Sequence, residues 1–395
     1  MTEPSGNEPA AADLRVLLLA RYSRNGASSR VRHYSYIAPL AARGIAVEAQ
    51  HLIDDSSLAR FYAGGRRNVV RIGRSYFERA QLARNLRSFD VIWIEKEALP
   101  RLPFWLERGF YGRSRNATVL DFDDFWFARF EGNGKNDSTS WEAAKMRKAI
   151  LAADLVTAAN SSLAGALEEF SGRRPVVFEN TIDIETYARA RQSVLASRAG
   201  DGERLGPRIG WVGTPYTATR YLPAIAGALN RMTHEGLSQT VLIGAGVSVP
   251  DIEAQRVAWS MEGEAAAVAD LDVGIMPLGT SRFDSYKSCW KLYQCMAAAM
   301  PVVATRNGFS ETLVDDGVTG FLADSADAFE NKLRLLAGDE ALRKKMGEAA
   351  QATIASRYSL QMGADRMATM FRAVVAGKRT ASGIAAEHVF TCRGK

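Results

Sequence analysis

The segment Arg208-Ile-Gly-Trp-Val212-Gly213-Thr214-Pro215 decides the fold. It reads as a short apolar strand closed by a glycine-containing turn, and Thr217 then opens a helix that bears Arg220. Upstream lies the polar, Arg- and Gly-containing stretch Ala188–Pro207, read as a linker. Before it, strand-like runs (Leu14–Ala20, Ala46–His51, Val91–Glu95, Thr118–Phe122, Leu155–Ala158, Val176–Phe178) alternate with helical patterns such as Ser29–Ala42, Thr139–Ala152 and Ser161–Phe170. Downstream, the strands Thr240–Ile243, Val273–Met276 and Pro301–Thr305 alternate with the helices Thr217–Met232, Ser288–Ala299, Phe329–Ala337 and Asp339–Arg357. This rhythm, run once and then restarted at Arg208, predicts an α/β chain of two doubly wound, Rossmann-like domains with a cleft between them.

Length and composition agree. The 395 residues are too many for one ordinary core, and 47% hydrophobic with 24% charged residues is the balance of a folded globular chain. No apolar run approaches the roughly 20 residues needed to span a bilayer. The acidic N-terminus lacks the basic start of a secretory signal, so a cytoplasmic location is expected. Three cysteines and four scattered histidines have no disulfide or metal-ligand spacing, which excludes a His-based metal centre. Residues 15–115 hold 19 Lys and Arg against 8 Asp and Glu, whereas residues 206–395 hold 20 against 19. The first half therefore reads either as an ordinary solvated surface or as a face that meets something anionic. Without a nucleic-acid-binding motif, an anionic membrane surface or a phosphorylated acceptor is favoured over nucleic acid.

Several motifs fall where strands end. The loop after the first strand carries Gly26, Ser28 and Ser29, and Arg30, Arg32 and His33 open the following helix; the loop offers N–H groups to an anion. Asp121, Asp123 and Asp124 end one strand, and Glu95-Lys96-Glu97 ends another; such carboxylates suit sugar hydroxyls, base catalysis or a cation. In Tyr286-Lys287-Ser-Cys-Trp-Lys291-Leu-Tyr-Gln294-Cys-Met296, Lys287 and Lys291 are four apart, which predicts one helix face, either a solvated lysine face or one aimed at an anion.

Together these segments resemble the retaining glycosyltransferases of family 4 (glycosyl transferases group 1), which have the GT-B fold. The resemblance spans roughly residues 14–375 and is strongest in Ile209–Leu222 and Asp270–Phe321. There Val273-Gly-Ile-Met-Pro-Leu278, Pro301-Val-Val-Ala304, Gly308-Phe-Ser-Glu311 and Asp315-Asp-Gly317 recur in family order. It implies a tail (1–13), an acceptor-binding domain (14–187), a linker (188–207) and a nucleotide-sugar-binding domain (208–356). A C-terminal helix (357–376) packing back on the first domain and a frayed tail (377–395) complete the layout.

The resemblance assigns Gly213, Thr214, Arg220, Lys287 and Lys291 to the donor diphosphate, and Val257, Trp259 and Glu264 to the nucleoside. Glu311 falls near the position that meets donor hydroxyls or ribose, and Gln294 and Gly308 are further expected donor contacts. Gly26, Ser28, Ser29, Arg30, Arg32, Glu95 and Lys96 would face the acceptor. Lys287 and Arg220, with Asp123 and Asp124 in place of the family's histidine, are the expected catalytic residues. The family's paired glutamates fall on Tyr286 and Gln294 here. The implied activity is sugar transfer from a UDP- or GDP-sugar to a surface glycan or lipid-linked acceptor, with no cofactor or metal, at most peripheral to the inner face of the membrane. A catalytically silent binding protein and a UDP-sugar 2-epimerase are the alternatives.

Overall fold

The computed structural model describes residues 12–62, 65, 68–111, 116–124, 141–198, 206–246, 249 and 251–379. The chain divides into two units. The first comprises residues 1–158, 164–178 and 363–395; the second comprises residues 159–163 and 179–362.

The first unit is built on six strands: β1 (Leu14–Tyr22), β2 (Ile45–Ile53), β3 (Val91–Glu95), β4 (Ala117–Phe122), β5 (Leu155–Ala158) and β6 (Val176–Val177). They pair in parallel in the order β2-β1-β3-β4-β5-β6. Helices on both faces explain why Val16 to Ala20 is a continuous apolar run with no exposed residue. Trp93 fills the core against Tyr36 and Phe371.

The second unit holds β7 (Arg208–Val212), β8 (Gln239–Ile243), β9 (Gln255–Val257), β10 (Val273–Met276), β11 (Val302–Thr305) and β12 (Gly320–Ala323). Their parallel order is β12-β11-β10-β7-β8-β9. Alternate residues feed two cores: Ile209, Trp211, Leu242, Ile275 and Val303 on one face, and Val212, Val241, Ile243, Met276 and Val302 on the other. Each sheet reverses its strand order once, between β1 and β3 and between β7 and β10. Ligands of such sheets bind outside the carboxyl ends of the strands flanking that reversal.

Several expectations are corrected. Residues 188–198, read as linker, are the greater part of a helix, Ile184–Arg198. Arg191 fixes it by donating to the Ala269 and Leu271 carbonyls at 2.7 and 2.6 Å. The single helix expected over Ser29–Ala42 is three pieces, Ala27–Arg32, a 3₁₀ turn Tyr34–Tyr36, and Ile37–Ala41. The break is at His33, whose φ of −131° leaves the helical region. Strands β9 and β12 were not anticipated. The last helix runs Leu360–Arg379, and its residues from Gly363 belong to the first unit, where Phe371 packs on Trp93. The two tails lie outside the described residues up to residue 11 and from residue 380. Among the described residues, no helix is long and apolar enough to cross a membrane.

Candidate functional site

Beyond β7, the Gly213 N–H donates to the Ile243 carbonyl at 3.0 Å, and Thr214 caps the helix Pro215–Tyr221 through a reciprocal box with Thr217. A side chain at Gly213 would meet the Trp211 ring at 2.6 Å and Lys291 Cε at 2.8 Å, so glycine is required where Lys291 crosses the strand end. The Lys291 ammonium then lies 5.2 Å from the Trp211 ring centroid.

The helix expected over Ser288–Ala299 begins only at Trp290, because Cys289 sits at φ 54° in the left-handed region. Lys287 and Lys291 therefore do not share one helix face, which corrects the spacing argument. Lys287 precedes the break, with its ammonium 4.2 Å from the centre of the Phe283 ring. The Arg220 guanidinium approaches the same ring at 5.1 Å and donates to Asp284 Oδ1 at 3.3 Å. Burial, and then the charge of Lys287, pull the Lys291 pKa down to about 8. Among the described residues, neither lysine has a carboxylate partner.

The nucleoside candidates also converge. Trp259 Nε1 donates to Glu264 Oε1 at 2.7 Å, Tyr187 Oη donates to Glu264 Oε2 at 3.4 Å, and buried Gln294 Nε2 donates to Tyr187 Oη at 2.9 Å. Val257 ends β9 and packs against the same core as Trp259. Tyr286, at the other family-glutamate position, is buried and accepts from Arg282 Nε at 2.6 Å. Gly308 adopts φ 57° against the Ser285 carbonyl, where a side chain would collide. Glu311 stands exposed in the short helix Ser310–Leu313. Cys289 and Cys295 are buried thiols pushed up to about 12 by burial, which leaves them unreactive.

The first unit's candidates gather beyond β1, β3 and β4, but they spend their charge on one another. Buried Arg32 is bidentate on Asp121, at 2.5 and 3.1 Å, and also donates to the Phe178 carbonyl. Thr157 Oγ1 adds a bond to Asp121 at 2.6 Å. Glu95 Oε2 accepts the Arg21 N–H at 2.7 Å and the Ser29 hydroxyl at 2.6 Å. Arg32, Ser29 and Glu95 are thus internal structural groups, not open contacts for an acceptor. His33 adds no charge, because burial lowers its pKa and leaves it neutral.

Lys96, in the left-handed region at φ 63°, reaches Asp123 at 2.5 Å and Asp124 at 3.6 Å. Burial would raise the Asp123 pKa, but Lys96 and the Ser28 hydroxyl outweigh it and hold the carboxyl well below its usual range. Asp123, Asp124, Ser28 and Arg30 are half-buried, and Gly26 caps the helix Ala27–Arg32 without a side chain. Glu97 is taken by Lys145 at 3.1 Å. Among the described residues, no group of three or more His, Cys, Asp or Glu is arranged to hold a metal ion.

Sequence reasoning missed Asp284, Phe283 and Tyr187. Asp284 is buried and accepts from Tyr221 Oη at 2.5 Å, from Ser281 Oγ at 2.5 Å and from Arg220. The spacing Ser281-x-x-Asp284 is itself a capping signature that points to this turn. Phe283 and Tyr187 carry no such signal.

A family model described as Glycosyl transferases group 1 matches residues 289–353, the stretch from the left-handed Cys289 into the helix that ends at Arg357. No curated protein matches the chain. Solved structures do. Anabaena Alr3699/HepE in complex with UDP is 15% identical, with 91% of this chain and 100% of that chain covered and a TM-score of 0.66. A glycosyltransferase from Rickettsia africae is 15% identical over 92% and 98% of the two chains, also at 0.66. Sucrose-phosphate synthase from Thermosynechococcus elongatus is 13% identical over 92% and 100%, again at 0.66. The fold is GT-B: two parallel six-stranded α/β units like those of these proteins.

Proposed function

We propose that this chain is a retaining glycosyltransferase of the family 4 type, moving a sugar from a UDP- or GDP-linked donor to a surface glycan or lipid-linked acceptor. The observation that carries the reading is the pair Lys287 and Lys291, two cations at the β7/β10 reversal that have no carboxylate partner among the described residues. An unbalanced positive site of this kind is costly until an anion fills it. The family match over residues 289–353 includes Lys291 and supports the same assignment. Structures of HepE with UDP, and with UDP-glucose, favour a uridine donor among the options.

In this reading the diphosphate lies against the Gly213–Thr214 turn, with Lys287, Lys291 and Arg220 around it. As the sugar–phosphate bond breaks, charge grows on the leaving oxygen, and fixed cations stabilise that transition state more than the ground state. The leaving phosphate oxygen takes the acceptor proton, so no pair of glycosidase carboxylates is required. Trp259 and Glu264 flank the nucleoside, with Gln294 and Glu311 toward donor hydroxyls. Asp123, Asp124 and Lys96 orient acceptor hydroxyls. Cations around the diphosphate make a divalent metal unnecessary.

The test is a thermal-shift screen with UDP, GDP and their sugars, followed by nucleoside diphosphate release in the presence of acceptor and excess EDTA. A shift with one nucleotide and EDTA-resistant turnover is expected. Absence of any nucleotide shift would sink the reading; loss of turnover restored by magnesium or manganese would make the aspartates metal ligands.

A further inference from the structure

We infer that the outer face of the helix Val69–Leu82, together with the turn Phe104–Glu107, is a docking surface for an anionic phospholipid bilayer. The helix has two unlike sides. Its inner side is pinned by Arg79, whose buried guanidinium donates to the Ala98 carbonyl at 2.8 Å, the Gln50 carbonyl at 3.0 Å and the Ala20 carbonyl at 2.5 Å. These bonds tie the helix to the strand ends, so its other side is held outward in a fixed pose.

That outer side carries bare apolar side chains among its charged ones. Val69 is 75% exposed, Val70 79% and Phe77 64%, and nothing lies within 4 Å of where a side chain on Gly73 would stand. Residues 70, 74, 77 and 81 fall on one face by helical spacing, and Arg84 follows just past the helix end. Tyr76 Oη donates to the Pro100 carbonyl at 2.6 Å, joining the helix to the segment leading into Phe104–Glu107, where Trp105 is 68% exposed beside exposed Leu106. Single exposed apolar side chains are ordinary; five on two linked elements are not.

The charge around them selects the partner. Residues 60–88 contain eight arginines and one acidic residue, Glu78. Arg60, Arg84 and Arg87 are exposed; Arg74 pairs at the surface with Glu78, and Arg71 with Asp54 and Ser56 Oγ, contacts that a phosphate can replace. Arg66 and Arg67 lie outside the described residues. Valine, phenylalanine and tryptophan among arginines match an interface with acyl chains below and phosphates at the surface. This inference rests on exposure and charge alone and stands apart from the donor site.

The experiment is co-sedimentation of the full chain with phosphatidylcholine vesicles, with and without phosphatidylglycerol, at low and high salt. Binding is expected only with phosphatidylglycerol, and salt should reverse it. Arg74→Gln with Arg84→Gln should lower the partition coefficient about 30-fold, from about 1 kcal/mol per basic group. Val70→Ser with Phe77→Ser should lower it at least tenfold at unchanged net charge. Both double variants should keep the wild-type circular dichroism and nucleotide-induced thermal shift, which separates this test from that of the donor site. No binding to anionic vesicles, or wild-type binding by either variant, overturns the inference. So does a dimer in sedimentation velocity that Val70→Ser with Phe77→Ser abolishes, since the face would then be covered by a second copy.

Discussion

Beyond the ends of β3 and β4, Lys96 meets Asp123 and Arg32 meets Asp121; beyond the ends of β7 and β10, Lys287 and Lys291 meet no carboxylate among the described residues. The two regions occupy equivalent places in sheets of the same design, yet one is electrostatically closed and the other open. A closed cluster holds loops in place and offers little charge to a ligand. An open one weakens the empty protein and gains from an anion. The lysine-rich region is therefore the stronger candidate for binding, although the first unit carries the larger excess of basic residues.

The comparison breaks first at Asp121. Replacing it with Asn leaves the buried Arg32 guanidinium without its counter-charge, and such a loss costs about 3–5 kcal/mol. Urea denaturation of Asp121→Asn should read that loss. The double variant Arg32→Met with Asp121→Asn should recover part of it, since no unpaired charge remains. A loss of under about 1 kcal/mol would mean that Arg32 finds enough partners in the Phe178 carbonyl, and that the cluster is not closed in the sense argued.

The opposite outcome is expected in the open region. Lys287→Ala should fold normally and lose about 30- to 1000-fold in turnover, or roughly 2–4 kcal/mol of transition-state stabilisation. Lys291→Met should go further apart from the first unit: the empty protein becomes more stable, by about 1–2 kcal/mol, while the nucleotide-induced shift disappears. The pH dependence has a definite sign. Lys291 holds its proton to about 8 in the folded chain and to its ordinary 10.5 when unfolded, so the unfolded chain binds more protons between those values. Its contribution to stability should rise with pH across that window, whereas nucleotide affinity should fall above pH 8. Lys291→Met should flatten both trends.

How much of this was legible follows from where the signals lie. The central strands announce themselves because both faces of a parallel sheet are buried. Strand β9 does not, because Gln255 and Arg256 are exposed on the edge. The helix Ile184–Arg198 hid in its arginines and alanines, with Tyr187 its one buried side chain. Lys287 and Lys291 were identifiable as residues, but their geometry was not. A left-handed cysteine has no signature in sequence, and Cys289 alone moves Lys287 off the helix. The closing of the first site was equally unreadable: Arg32 and Asp121 stand 89 residues apart, and nothing local to either names the other.

The smallest expected effect is the finest test of openness, and it concerns Phe283. Its ring lies against both Arg220 and Lys287; Arg220 also has Asp284, so it is for Lys287 that the aromatic face does, weakly, what carboxylates do for Arg32 and Lys96. A cation–π contact at a partly exposed site contributes about 0.5–1 kcal/mol. That is enough to hold a cation in place and too little to compete with a diphosphate. Phe283→Leu keeps an apolar side chain and removes the ring. Its cations should then pay more to become ordered around the donor, which raises the donor KM by about two- to tenfold with little change in stability or in kcat. Phe283→Tyr should restore the KM because the ring face remains. If Phe283→Leu instead lowers kcat and leaves KM alone, the ring acts in the transition state. Lys287 would then be held in the resting protein by something other than Phe283.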